Sequence, residues 1–223
     1  MEYWQSFHDD PATARPWHGF YDAPMPDGCY LRLPLRDMGA TAVAGMIANQ
    51  ASFDVVDRIS AWIAATVAPW APEVVVGLPT LGHVYGAGVA RALGHSNWVA
   101  MGTSRKLWYD EALSVPLVSI TTPGAGRTLW LDPRILPRLA GRRVLLVDDV
   151  ISTGSSARAG LALLAAAGIK PVGAAFAMAQ TDRWRLAWPG DMPFVAAFTT
   201  PLFRRDGEGW EAVAERPPQA TRP

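Results

Sequence analysis

The chain has one cysteine, Cys29, in 223 residues. That excludes an internal disulfide and a cysteine-based zinc site. It has no surplus of either charge, since 20 Lys and Arg balance 20 Asp and Glu. A protein that grips polyanions non-specifically normally carries a basic excess, so no nucleic acid partner is expected. No apolar run approaches the roughly 18 residues that a membrane span needs, so no membrane association is expected either. The opening MEYWQSFHDDPATARPW has no basic stretch leading into an apolar one. It is not expected to be a signal peptide, and the cytoplasm is the expected compartment. The four histidines, His8, His18, His83 and His95, have no ligand spacing, and HExxH, GxxxxGK[ST] and GxSxG are all missing. These gaps remove zinc proteases, P-loop nucleotidases and serine hydrolases.

What is present is a core-forming chain. Half of it is hydrophobic and 18% is charged, at a length that suits one domain. Residues 1–29 carry no period and read as irregular, wrapping chain. Tyr30–Leu35 alternates and predicts a short strand, placed at an edge because Pro34 cannot donate to a ladder. Val55, Val56, Ile59, Trp62 and Ile63 mark one face of a helix from Asp54 to Val67. Strands at Glu73–Gly77, Asn97–Met101, Arg143–Val147 and Val172–Ala179 then alternate with helices at Val84–Leu93 and Ser155–Ala167. Val115–Ile120 and Arg127–Leu131 predict a hairpin or flap around TTPGAG. The alternation predicts an α/β fold with a doubly wound, mainly parallel sheet. Ligands of such sheets bind beyond the carboxyl ends of the strands.

The informative run is Val144-Leu-Leu-Val-Asp-Asp-Val-Ile-Ser-Thr-Gly-Ser-Ser156. The apolar residues place Asp148 and Asp149 at the carboxyl end of a buried strand. Thr153, Gly154, Ser155 and Ser156 then lead straight into a helix. A helix N-terminus offers unpaired N–H groups and partial positive charge, and hydroxyls in the same turn make it a phosphate cradle. Carboxylates nearby can accept from vicinal hydroxyls of a sugar or hold a cation. Together they suit a ribose 5-phosphate.

This run closely resembles the phosphoribosyl-diphosphate signature of the type I phosphoribosyltransferases. The resemblance implies that Asp148 and Asp149 face the ribose hydroxyls and that Ser152, Thr153, Gly154, Ser155 and Ser156 hold the 5-phosphate. Val74-Val-Val-Gly-Leu-Pro-Thr-Leu-Gly-His-Val-Tyr-Gly86 resembles the family's pyrophosphate loop, nearest in pattern to the adenine phosphoribosyltransferase branch. Leu78, Pro79, Thr80, Leu81 and Gly82 then form that loop through backbone N–H groups. It lacks the acid and arginine usual there: Pro79 and Leu81 stand in their places. Arg105 and Lys106 resemble the basic pair that reaches pyrophosphate, sometimes across a dimer interface. The stretch from Lys106 to Arg127 matches the lid. The glutamate with which the adenine branch assists the leaving base has no counterpart near Thr121–Thr122; Asp110 and Glu111 lie earlier in the lid.

The resemblance covers about residues 70–180. It implies a single domain over 1–223, with a core of about 54–180 and a small hood from about 1–50 and 181–223. Trp184 and Asp182 are candidates to hold the base, as are Trp188 and Arg183. The implied reaction joins a nitrogenous base, purine-like, to the ribose 5-phosphate of phosphoribosyl diphosphate and releases pyrophosphate. Mg²⁺ is expected with the substrate, and a homodimer is expected. The competing reading is a non-catalytic regulator of the same fold that binds phosphoribosyl diphosphate or a nucleotide.

Overall fold

The computed structural model describes residues 2–11, 15–117, 127–186 and 188–213. Short strands β1 (Phe7–His8) and β2 (Phe20–Pro24) come first, followed by β3 (Tyr30–Asp37) and β4 (Thr41–Ala44). Helix α1 (Phe53–Val67) leads to β5 (Val74–Gly77), α2 (Gly82–Ala92) and β6 (Val99–Ala100). The pair β7 (Ser114–Leu117) and β8 (Arg127–Trp130) precedes a one-turn helix α3 (Leu136–Leu139). Then follow β9 (Val144–Ile151), α4 (Ser155–Ala166), β10 (Gly173–Gln180), β11 (Phe194–Thr200), β12 (Leu202–Asp206) and β13 (Gly209–Ala212).

The central sheet is parallel, in the order β11-β10-β9-β5-β6. Its chain order reverses between β5 and β9, so their carboxyl ends flank the topological switch point where an open sheet binds ligands. Both sheet faces are covered. Leu145 and Val147 of β9 pack with Val55, Ile59, Tyr85 and Val89 of α1 and α2. Val144 and Leu146 pack with Leu163 and Leu164 of α4 on the other face. This two-sided burial explains why β9 reads as a continuous apolar run rather than an alternating one.

α1 begins where Ser52 accepts from the Val55 N–H at 3.2 Å, and Pro69 follows its end. α4 begins at Gly154, whose φ of +79° is left-handed backbone that a side chain would oppose.

Four expectations need correction. The first 29 residues are not all irregular: β1 and β2 both pair antiparallel with β3. β3 is interior, not an edge, because it also pairs with β4. Pro34 is tolerated because its partner there is Phe20, at the very start of β2, while its carbonyl accepts from the Gly45 N–H. β9 does not stop before the acids but runs on to Ile151, with Asp148 opposite Phe176 of β10. The parallel sheet also runs past residue 180, because β11 adds to its edge.

Both chain ends meet in a second, antiparallel sheet, β1-β3-β4-β12-β13, with β2 on β3. Trp17 bridges Trp210, joining the two ends directly. The Gln180 side-chain amide donates to the Ala44 carbonyl at 2.8 Å, tying this sheet to the end of β10. The hood is thus a built sheet standing over the switch point. The TTPGAG turn lies outside the described residues, but its stems pair as expected, Ser114 with Trp130 through Leu117 with Arg127.

Candidate active site

A cleft of about 800 Å³ opens at the switch point. Its floor is the run from Asp149 through Ala157, which includes Ser152, Thr153, Gly154, Ser155 and Ser156. α4 has no side-chain cap, and the Thr153 and Ser155 hydroxyls lie 3.2 Å apart at its mouth. Uncapped N–H groups with hydroxyls beside them are the kind of surface that favours an anion. Ser152 is placed differently: its hydroxyl donates to Gln180 Oε1 at 2.8 Å and accepts from Arg183 at 3.1 Å. It supports the hood junction rather than offering a free hydroxyl to a phosphate.

The paired acids have separate positions. Asp149 lines the cleft. Asp148 is 5% exposed and lies against the backbone of Gly82, where an added Cβ would meet its Oδ1 at 2.4 Å. Its Oδ1 accepts the Asp149 N–H at 2.9 Å. Burial, and then the neighbouring Asp149 charge, push the Asp148 carboxyl well above the usual range. Burial raises Asp149 too, and the pair shares a hydrogen bond that favours charge on Asp149. Of the two, only Asp149 therefore presents its carboxyl to the cleft, while Asp148 holds the Asp149 backbone from behind.

The turn after β5 contributes less to the cleft surface than the turn after β9. Pro79 alone of its residues lines the cleft. Leu78 is buried, Leu81 packs on the core, Thr80 is exposed, and Gly82 is already helical. The Pro79–Thr80 peptide is cis. The far wall comes from the hood: Trp4, Pro34, Leu35, Val43, Met46 and Ile47 give it an apolar face, and Gly45 completes it. Arg36, Arg127 and Arg183 supply positive charge.

Comparison with known proteins adds to this geometry. The family described as the phosphoribosyl transferase domain matches residues 44–188. The chain belongs to that family. Adenine phosphoribosyltransferase of Xanthomonas euvesicatoria pv. vesicatoria (strain 85-10) is 31% identical over 135 residues, 59% of this chain and 69% of that protein. The adenine phosphoribosyltransferase of Nocardia farcinica (strain IFM 10152) is 31% identical over 134 residues, 58% of this chain and 64% of its own length. Among solved structures, the APRTase of Giardia lamblia complexed with 9-deazaadenine superposes with a TM-score of 0.57 at 18% identity, covering 81% of this chain and 93% of that one. The Saccharomyces cerevisiae adenine phosphoribosyltransferase gives 0.56 at 18% identity, covering 81% and 94%. These two likenesses show that the fold is the phosphoribosyltransferase fold.

With the family shown, the remaining candidates can be placed. Arg105 and Lys106 do not line the cleft of their own chain. Arg105 pairs with Glu111 at 2.7 Å and sits 5.5 Å over the Trp130 ring. Asp110 caps a short turn by accepting the Ala112 N–H at 2.9 Å. Thr121–Thr122 lie outside the described residues. Trp184 is not a cleft residue: its ring stacks on Phe194 at 4.2 Å and its indole N–H donates to the Thr181 carbonyl. Trp188 joins the same cluster edge-on. β11, unforeseen in the sequence, supplies Phe194 and so claims both rings for packing. Asp182 is half-buried and does not line the cleft, whereas its neighbour Arg183 does.

Sequence reasoning missed the hood wall. Met46 and Ile47 precede α1 in a stretch with no period, and Trp4 sits in a segment read as irregular. Only the antiparallel sheet brings them over the floor.

Proposed function

We propose that this phosphoribosyltransferase moves ribose 5-phosphate from phosphoribosyl diphosphate to a nitrogenous base of purine type and releases pyrophosphate. The observation that carries the reading is one cleft that holds Asp149 and the uncapped mouth of α4 on its floor and an apolar wall opposite. The 5-phosphate takes the α4 mouth with Ser155 and Thr153. The vicinal hydroxyls donate to Asp149. A flat heterocycle lies against Met46, Ile47 and Val43, and the adenine-specific names of the 31%-identical relatives favour a purine there. In the reaction a ring nitrogen bonds to C1 of the ribose, the C1–oxygen bond breaks, pyrophosphate leaves with the electron pair, and the nitrogen loses its proton. Holding the diol, Asp149 would stabilise positive charge growing on the sugar.

Among the described residues no cluster of three or more acids, histidines or cysteines could hold a metal. One cleft-facing carboxylate fits magnesium that arrives on the substrate's phosphates, since that ion keeps most of its ligands as water and phosphate oxygen. When bound it neutralises pyrophosphate charge. Arg127, at the base of the flap, adds charge from the chain itself.

We read the protein as a cytoplasmic homodimer. Arg105 and Lys106 are exposed beside Leu107, fully exposed, and Trp108, 49% exposed. A second copy on this loop would cover the apolar pair and could receive the basic pair at its cleft. Among the described residues no helix is long and apolar enough to cross a membrane.

The test is pyrophosphate release from phosphoribosyl diphosphate and Mg²⁺ across a panel of purines and pyrimidines. Release with a purine is the expected result. Binding without release for every base overturns the enzyme and leaves a regulator.

A further inference from the structure

Tyr85 lies on α2 one turn beyond Gly82, and residues three apart share a helix face. Gly82 lies against the Asp148 backbone near the end of β9, so the face of α2 that carries Tyr85 lies along that strand. It packs with Leu145 and Val147. Alternate residues of a strand share a face, so Asp149 is the next side chain of that row. The phenol is 0% exposed, and its hydroxyl has no hydrogen-bond partner among the described residues. Burial, and after it the Asp149 charge, raise its pKa. A hydroxyl sealed without a partner is a cost that phenylalanine would avoid at the same volume. The site gains from tyrosine if the hydroxyl acquires a partner in another state.

Resting on the phosphoribosyl diphosphate reading of the cleft, we propose that Tyr85 is a positioning residue: its hydroxyl donates to the Asp149 carboxylate from the protein side when the ribose diol occupies the cleft side. In the free protein Asp149 is tied to Asp148, whose Oδ1 accepts the Asp149 N–H at 2.9 Å. A diol that donates to Asp149 stabilises its ionised form, which has lone pairs for a second donor. Tyr85 is the buried donor in that direction, and it fixes the carboxylate at the angle that the diol meets.

The experiment compares Tyr85→Phe, Asp149→Asn and the double variant with the wild type, by calorimetric titration with phosphoribosyl diphosphate and, separately, with pyrophosphate. Tyr85→Phe should weaken phosphoribosyl diphosphate about tenfold, the scale of one hydrogen bond to a charged group. Pyrophosphate, which has no diol, should bind it as it binds the wild type. The melting temperature should hold or rise. In the Asp149→Asn background the same substitution should add nothing, which a merely structural role would not produce. Unchanged phosphoribosyl diphosphate affinity in Tyr85→Phe, or an equal loss in both backgrounds, overturns the proposal. If Asp149→Asn itself binds normally, the parent reading of the cleft fails instead. Should the phenylalanine variant not fold, the wild type decides: its Tyr85 ring-carbon resonance should move with phosphoribosyl diphosphate and not with pyrophosphate, and no movement overturns the assignment.

Discussion

Two strand-to-helix turns flank the switch point, one after β5 and one after β9. Both leave a buried parallel strand and feed a helix whose N-terminus has no side-chain cap. From the end of β9 into α4 every residue from Asp149 to Ala157 lines the cleft; after β5 only Pro79 does. Leu78 is 1% exposed, and an extra carbon on Gly160 of α4 would strike it at 2.8 Å. Gly82 presses on Asp148. The packing of the first turn sets how closely α2 approaches the acids. The second displays the groups a ligand would touch. Identical topology at two adjacent strand ends gives two different jobs, and residue size decides which.

The comparison breaks most directly at Gly82. In Gly82→Ala the new carbon falls 2.4 Å from Asp148 Oδ1 and 2.9 Å from its Cα, where backbone has to move. Overpacking of this kind costs about 1–3 kcal/mol, so the denaturant midpoint should drop by a matching amount. Phosphoribosyl diphosphate binding should fall with it, because the shift passes through Asp148 to Asp149. A variant as stable and as tightly binding as the wild type would show that the packing of the turn after β5 does not set that approach.

Asp148→Asn sharpens the same point. The Asp148 carboxyl is raised above its unfolded value by burial and by Asp149. A raised carboxyl pKa gives stability that is fully present below the unfolded value and is lost as pH rises through the folded one. The wild type should therefore lose stability toward alkaline pH relative to Asp148→Asn, and the gap between their melting temperatures should widen with pH. Parallel curves would mean that Asp148 is ionised in the free protein.

The turn after β9 was legible because its signals are local. Four apolar residues, two acids and a hydroxyl-glycine run each have a conformational consequence within a few positions. α1, α2, α4 and β10 were legible for the same reason, to within a residue or two at most ends. The hood was not. β2 and β3 pair within a hairpin, but β4 meets β12 across more than a hundred and fifty residues of chain, and no periodicity encodes that meeting. Pro34 misled because a proline is excluded from an interior strand only where its N–H is needed. Trp184 misled because an aromatic after a strand can stack on a ligand or on a neighbour, and Phe194 decided between them. Asp148 and Asp149, alike in sequence, diverged because alternation along β9 turns one inward.

The smallest effect divides the phosphate turn itself. Ser155 stands at the mouth of α4 with its hydroxyl near Thr153, while Ser152 is bound into Gln180 and Arg183. Ser155→Ala should weaken ribose 5-phosphate by several-fold, about 1 kcal/mol for a lost neutral hydrogen bond, and leave the melting temperature alone. Ser152→Ala should do the reverse. It removes the partner that orients Gln180, whose amide holds the Ala44 carbonyl, so stability should fall by about 1 kcal/mol while phosphate affinity stays. Titration with ribose 5-phosphate alongside thermal denaturation separates the two. If both variants lose affinity equally, Ser152 turns to the ligand on binding, the tie between hood and sheet is released at that moment, and the whole run from 152 to 156 acts as one cradle.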